Sequence, residues 1–373
     1  MRAAYGKNTR ELLAGKVRPR IIIDFCDLPI FDATTYPAIL LVEKERPTGR
    51  ESALAATFTD AGQLDNLEET LATLGFLMPV KALKSEGWTL ERSDILNLMA
   101  KLRAAGIPLG EYVKGKFYYG IKTGLNEAFV IDGETRERLI AEDPKSAGLI
   151  KPWLRGRDIK EWKAEWAGLY LIAIASSSNK AWPWSKQKSE STARALFAKT
   201  YPAIHNHLSQ WEDRLRKRDD QGQFWWELRS CVYWAEFGRP KIIVPAITND
   251  VQYAIDYAGR FSNDKTSICV TEDPEFAAAL LNSKVLWWVI RNQAATRSGG
   301  FYEFKPMYVT KLPIPPASNA QKAAITNLVR RILASPDGSD VPRLEAEIDR
   351  LVYGLYGLTP DEIALVEVGH EST

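Results

Sequence analysis

Cysteine and histidine are scarce, with three of each in 373 residues. Cys26, Cys231 and Cys269 are odd in number and far apart, which argues against a disulfide framework or a paired-cysteine zinc site and fits a reducing cytoplasm. The histidines are His205, His207 and His370. Two imidazoles two residues apart diverge on a helix, and no third ligand accompanies them, so no metal is expected. No apolar run reaches the roughly 18–20 residues of a membrane span. Residues 1–20 are mixed and basic with no apolar centre, so they do not read as a secretory signal. No membrane partner is expected.

Catalytic signatures are equally sparse. Ser298-Gly299-Gly300 follows a helix rather than a strand, and no lysine-serine or lysine-threonine pair completes a phosphate cradle. No nucleophile elbow or cysteine–histidine pair occurs with family spacing. Glu161-Trp162-Lys163 is the minimal Glu-x-Lys of a metal nuclease, but such tripeptides are common, and it reads as a solvated strand edge. The overall charge favours neither sign: 49 basic against 47 acidic residues leave +2.

What is present is a globular composition, 45% hydrophobic and 26% charged, in a chain long enough for two or three modules. Charge is uneven along it. Residues 151–241 hold 17 Lys or Arg against 10 Asp or Glu, together with nine of the twelve tryptophans. A basic, aromatic segment suits phosphate contact and base stacking, although tryptophan is as readily core.

Patterning predicts two buried strands at residues 20–25 and 38–44, joined by a Pro- and Asp-containing loop, as the edge of a larger sheet. A helix is expected over Ser93–Ala105 with Ser93 as N-cap and Ile95, Leu96, Met99 and Leu102 on one face. Residues 117–131 read as a hairpin turning near Gly124 and Asn126. Strands are expected at 169–175, 241–244 and 267–270, and a helix at 274–291 capped by Asp273 and Pro274. The Pro-rich run 312–316 reads as an extended linker before an αα-hairpin broken at 335–338. Trp225 and Trp226 are assigned to the core.

Several motifs, in order, carry a resemblance. Residues 23–25, Asp27-Leu28-Pro29-Ile30-Phe31 and Ala33-Thr34-Thr35-Tyr36-Pro37-Ala38-Ile39 resemble the last catalytic motif of large bacterial adenine-N6 DNA methyltransferases. These are the fused type II restriction-methylation enzymes and the related phage-defence methylases. Gly120-Ile121-Lys122-Thr123-Gly124-Leu125-Asn126, Ile150-Lys151-Pro152-Trp153-Leu154-Arg155-Gly156-Arg157-Asp158, and Pro240-Lys241-Ile242-Ile243-Val244-Pro245 are similar to parts of their TaqI-like C-terminal specificity (target-recognition) domain. So are Leu280-Leu281-Asn282-Ser283, Gly300-Phe301-Tyr302 and Lys311-Leu312-Pro313-Ile314-Pro315, and residues 347–359 resemble the terminal helix.

The resemblance implies an α+β chain: a partial methyltransferase sheet edge over 1–85, an irregular recognition domain over 86–315, and a C-terminal helical hairpin over 316–373. It also implies S-adenosylmethionine as cofactor of the parent enzyme. The glycine-rich donor loop and the Asn-Pro-Pro-Tyr motif that precede this region in the family do not occur here, so no cofactor is assigned to this chain and catalysis by it alone is not expected. The implied partners are double-stranded DNA and a methyltransferase catalytic domain, in cis or in trans. Phe31, with Tyr36 second, falls where the family stacks the extruded adenine. Candidate DNA contacts are Lys122, Thr123, Asn126, Arg155, Arg157, Arg214, Arg216, Lys217, Arg218, Gln221, Gln223, Arg297, Ser298 and Tyr302, more of them on phosphate than on bases. A specificity subunit of a multi-subunit restriction system, or a protein-interaction domain without DNA contact, stay open as alternatives. The first is disfavoured because no second copy of the recognition motifs occurs.

Overall fold

The computed structural model describes residues 7–26, 28–32, 36–83, 88, 90, 93–297 and 299–368. The fold is α+β, and the chain divides into two compact units. The first comprises Met1–Ile107, Trp288–Glu303 and Tyr356–Thr373; the second comprises Pro108–Trp287 and Phe304–Leu355.

In the first unit a four-stranded sheet runs in the order Ala38–Glu43, Arg18–Asp24, Ser52–Thr57, Phe76–Pro79. Arg18–Asp24 pairs antiparallel with Ala38–Glu43 and parallel with Ser52–Thr57. Successive side chains on a strand point to opposite faces, so Ile22 and Ile23 serve two different apolar clusters. Ile22 packs with Ala53, Ala55, Met78 and Trp88. Ile23 packs with Phe25, Leu28, Ala56 and Phe58.

The expectation of two buried strands needs correction. Ala38–Glu43 lies at the sheet's edge, and Ile39, Leu41 and Val42 are exposed. The helix Ser93–Ala105 has the expected bounds, with Met99 and Leu102 buried and Ile95 and Leu96 half-buried. Ser93 lies inside it, and its side chain is outside the described set. Lys101 on that helix donates to the Gly357 carbonyl (2.7 Å) and to Glu362 (2.6 Å), tying it to the helix Pro360–Val368.

The second unit has two four-stranded sheets. One runs Ala254–Asp256, Lys241–Pro245, Thr266–Cys269, Phe117–Tyr119; the other runs Phe261–Ser262, Ile150–Leu154, Tyr170–Ile172, Val130–Ile131. The predicted hairpin over 117–131 is therefore absent. Its two arms pair in different sheets, Phe117–Tyr119 with Thr266–Cys269 and Val130–Ile131 with Tyr170–Ile172. Asn126–Phe129 between them is a helical turn. Long-range pairing decided this, because neither arm has more than three residues with which to hold a local partner.

Most tryptophans of the basic segment fill the core. Trp153, Trp162, Trp182, Trp184, Trp225 and Trp226 are buried. Trp182 stacks on Trp184 (5.1 Å), and Phe224 and Phe197 sandwich Trp226 at 4.8 and 5.2 Å. Such rings contribute through buried area and offset stacking.

The expected helix at 274–291 is two helices, Pro274–Asn282 and Lys284–Gln293. The break is Ser283, whose backbone is extended and whose hydroxyl donates to the Leu280 carbonyl (2.6 Å). Asp273 does not cap; its carboxylate instead accepts from Lys322 (2.6 Å) and Tyr112 (3.1 Å). Residues 312–316 are no exposed linker: Leu312 and Ile314 are buried, and the Leu312 carbonyl accepts from the Leu109 N–H (2.8 Å). The helices Asn319–Ala334 and Val341–Tyr356 follow, the first closed by a capping box between Ser318 and Gln321.

Lys241 and Asp256 form a fully buried ion pair at 2.6 Å, with Asp256 also accepting from the Arg260 N–H (2.8 Å) and Lys241 donating to the Phe237 carbonyl (2.6 Å). Burial pushes the Lys241 ammonium below its usual range, and the carboxylate opposes that shift. Removing one partner strands the other charge. Asp256→Ala is expected to cost about 3–5 kcal/mol in urea unfolding, whereas replacing both residues by apolar ones of similar volume costs far less.

Candidate nucleic-acid interface

Residues 262–265 run between the two sheets of the second unit and organise its surface. Ile121 donates to the Ser262 carbonyl (2.7 Å), Gly120 to that of Thr266 (2.9 Å), and Asn263 to that of Leu154 (3.0 Å). Two glycines permit this closeness. A Cβ on Gly120 would fall 1.9 Å from the Asn263 carbonyl oxygen, and one on Gly156 would fall 2.9 Å from that of Lys265. Only the absence of a side chain lets these backbones meet.

A groove opens on either side of this segment. One, of about 390 Å³, is lined by Tyr119, Lys122, Arg229, Val232, Tyr233 and Asp264 among others. The other, of about 320 Å³, is lined by Asn126, Trp153, Arg155, Arg157, Asn263 and Lys265 among others. Of the expected contacts, Lys122 lines the first groove and Asn126, Arg155 and Arg157 line the second. Sequence reasoning missed Tyr119, Arg229, Val232 and Lys265. Asn263-Asp264-Lys265 carries turn chemistry that points to an exposed loop; nothing in the sequence marks Val232.

Several expected contacts are occupied in holding the loops. Arg218 is buried, donates to the carbonyls of Thr123, Trp225 and Glu227, and sits 4.5 Å over the Phe129 ring. Burial pulls its guanidinium down to about 10. Thr123 is buried too, its hydroxyl donating to Asn126 (2.6 Å). Arg155 spends its Nε and one terminal nitrogen on Asp158 (3.0 and 2.7 Å). Arg216 pairs with Glu190 and Glu212, and Arg214 with Glu127 (3.0 Å). Gln223 donates to the Ser185 carbonyl (3.2 Å). Arg157, Lys217 and Gln221 are exposed, and neither cation has a carboxylate partner among the described residues.

In the first unit, Phe31 and Tyr36 are 63% and 52% exposed. The Tyr36 hydroxyl lies 3.5 Å from the carbonyl of Thr296, on the antiparallel ribbon formed by Thr296–Arg297 and Phe301–Glu303. That ribbon carries Arg297, paired with Glu303, and Tyr302. Ser298 lies outside the described residues, as does His370.

Residues 151–314 match the family described as the TaqI-like C-terminal specificity domain. That segment of the chain is similar to a specificity domain. Over 379 aligned residues the chain is 25% identical to type II methyltransferase M.PaeR7I of Pseudomonas aeruginosa, covering 97% of this chain and 60% of that protein. It is 21% identical to type II methyltransferase M.XhoI of Xanthomonas vasicola, covering 97% and 64%. The chain thus spans less than two thirds of either relative. The solved structure of the type IIL restriction-modification enzyme MmeI in complex with DNA superimposes with a TM-score of 0.57 at 11% identity, covering 94% of this chain and 44% of that one. At that identity the likeness is one of fold.

The specificity domain offers no metal centre among the described residues. His205 and His207 lie on the helix Pro202–Ser209, and the His207 Nε2 is 3.0 Å from the Ala128 carbonyl oxygen. Nor is residues 161–163 a solvated edge. Trp162 is buried with a left-handed backbone (φ 62°), and its indole donates to Glu345 (2.8 Å). Burial, reinforced by Glu345, Asp250 and Asp349, raises the Glu161 carboxyl from 4.5 to about 9. The folded state therefore holds a proton that the unfolded state releases near 4.5, and the stability this confers is lost as pH rises from there through about 9. Glu161→Gln is expected to flatten the fall in thermal midpoint between about pH 5 and pH 9 and to raise the midpoint at the alkaline end.

Proposed function

We propose that this chain is the DNA-recognition part of an adenine-N6 DNA methyltransferase of a restriction-modification or phage-defence system, acting on duplex DNA in the cytoplasm. The match of residues 151–314 to the specificity-domain family carries the reading. The arrangement of the second unit supports it: two grooves share one loop, and exposed cations stand on its surface. Arg157 and Lys217, exposed and without carboxylate partners among the described residues, serve best as phosphate contacts, with Lys265 beside Arg157. Gln221 and Asn126 are exposed amides suited to a base edge. Arg218 and Thr123 do not reach DNA, because both are buried in the domain's own hydrogen bonding. Recognition residues fall within 86–315, with residues 1–85 as part of the catalytic sheet and 316–373 as its helical end.

Phe31 and Tyr36, both exposed on loops of the first unit, are offered to the adenine turned out of the duplex, and the ribbon bearing Arg297 and Tyr302 lies next to Tyr36. The methyl donor implied by the relatives, S-adenosylmethionine, supplies an electrophilic methyl group when bound. The sequence contains neither a glycine-rich donor loop nor an Asn-Pro-Pro-Tyr motif, so no residue here is assigned to it and methyl transfer requires a catalytic domain in cis or in trans. The exposed apolar residues of the edge strand Ala38–Glu43 are consistent with further sheet from that domain.

The test is a gel-shift or anisotropy titration of the 373-residue chain with duplex DNA across salt concentrations. Affinity should fall steeply, with log K linear in log salt. Arg157→Ala and Lys217→Ala should each weaken binding on every duplex and reduce the slope by about one. Absent or salt-insensitive binding would favour a protein-interaction domain. Methyl transfer by the purified chain alone would overturn the assignment of catalysis to a separate domain.

A further inference from the structure

The groove between Tyr119 and residues 229–233 differs in kind from the rest of the basic surface. Its loop is clamped at both ends. The Cys231 N–H and the Ser230 hydroxyl both donate to the Asn179 side-chain oxygen, at 2.7 and 2.9 Å. Tyr233 stacks on Tyr118 with ring centroids 4.5 Å apart and planes within 13°. Between the buried Cys231 and the anchored Tyr233, Val232 is left 90% exposed. A single exposed valine is ordinary on a protein surface. One held out by a rigid loop beside an exposed tyrosine and two cations is not placed there by local sequence preference.

Charge on this loop is also oriented. The Asp220 carboxylate, only 12% exposed, accepts from the Lys122 ammonium at 2.7 Å and from one terminal nitrogen of Arg229 at 3.3 Å. The Arg229 side chain is itself 64% exposed. A guanidinium has five donors in a planar fork, so the bond to Asp220 tethers one terminal nitrogen and leaves the Nε and the other terminal nitrogen to the groove. Arg155, Arg216 and Arg218 lack this combination, since each is buried or held by more than one contact to acids or carbonyls, and Arg214, with the single partner Glu127, lines neither groove. Arg157 is exposed but has no orienting carboxylate among the described residues. Reading a base needs a held fork; neutralising a phosphate needs only charge.

We infer that residues 229–233 are the base-reading element of this domain, with Arg229, oriented by Asp220, presenting its fork to a guanine edge and Val232 meeting the 5-methyl group of a neighbouring pyrimidine. The inference rests on the proposed DNA-recognition function and assigns the site within it. In the major groove, guanine N7 and O6 accept two donors from one arginine, and the thymine methyl is the one apolar feature displayed.

The experiment selects bound duplexes from a randomised pool with the 373-residue chain, then compares affinity for the selected site and for a scrambled duplex. Arg229→Lys keeps the charge and loses the fork. It should leave scrambled-duplex affinity within about twofold and cut the preference for the selected site by about 5- to 150-fold, the span of one bidentate guanine contact. Asp220→Asn should cut the preference less, and Val232→Ser should relax the selected sequence at a single pyrimidine position. If Arg229→Lys retains full preference while Arg229→Ala weakens both duplexes equally, Arg229 is a phosphate contact and the inference fails, with the DNA-recognition reading intact. Salt-dependent binding without any selected sequence would also refute it. No salt-dependent binding by the parent chain would remove both readings. Thermal unfolding of each variant checks that the fold is kept.

Discussion

The buried guanidinium of Arg218 is the constraint on which the surface of the second unit depends. It donates to carbonyls of Thr123, Trp225 and Glu227, so one side chain ties the 120–126 turn to the loop that leads to Arg229. The Glu227 carboxylate does the reciprocal work, accepting from the N–H groups of Ser177 (3.0 Å) and Gln223 (2.8 Å) and from the indole of Trp184 (2.9 Å). These loops have little strand or helix to satisfy their backbone. Polar groups that would otherwise be buried without partners, at about 1–3 kcal/mol each, find them in these two side chains.

That economy divides the basic residues into two populations. Arg218, Lys241 and Arg155 are structural, each matched by carbonyls or a buried acid. Arg157, Lys217, Lys122 and Arg229 stand outward, and the last two converge on a single carboxylate, Asp220. Counting charges along 151–241 cannot make this distinction, because a lysine in the core and a lysine on a phosphate look alike in one dimension. The tryptophans follow the same rule. Trp182 stacks on Trp184, which meets Trp226 edge to face, and Trp226 stacks between Phe197 and Phe224, which gives irregular loops an apolar centre that short strands alone could not supply.

Close backbone approach then sets the geometry of the grooves. Gly120 and Gly156 bring two chain segments against residues 262–265, and that contact places Lys122 and Arg157 on either side of the same loop. Both glycines lie within motifs quoted for the family resemblance, and each is explained by a carbonyl oxygen lying where a side chain would otherwise begin.

Elements with strong local signals were legible in the residues themselves. The helix Ser93–Ala105 has its apolar spacing and its Gly-x-Pro stop, and the isoleucine run at 21–23 is a strand serving two clusters. The order of modest motifs was enough to point to a specificity domain, and residues 151–314 match one. Tertiary structure alone decided the rest. Residues 117–131 carry the composition of a hairpin, yet each arm found a better partner over a hundred or some forty residues away. Whether Arg218 or Arg229 faces outward depends on which carbonyls and carboxylates the fold brings within about 3 Å, and Val232 stands exposed between neighbours held by Asn179 and Tyr118. Patterning records the preferences of a residue for its near neighbours along the chain; these outcomes were set by neighbours that only folding supplies.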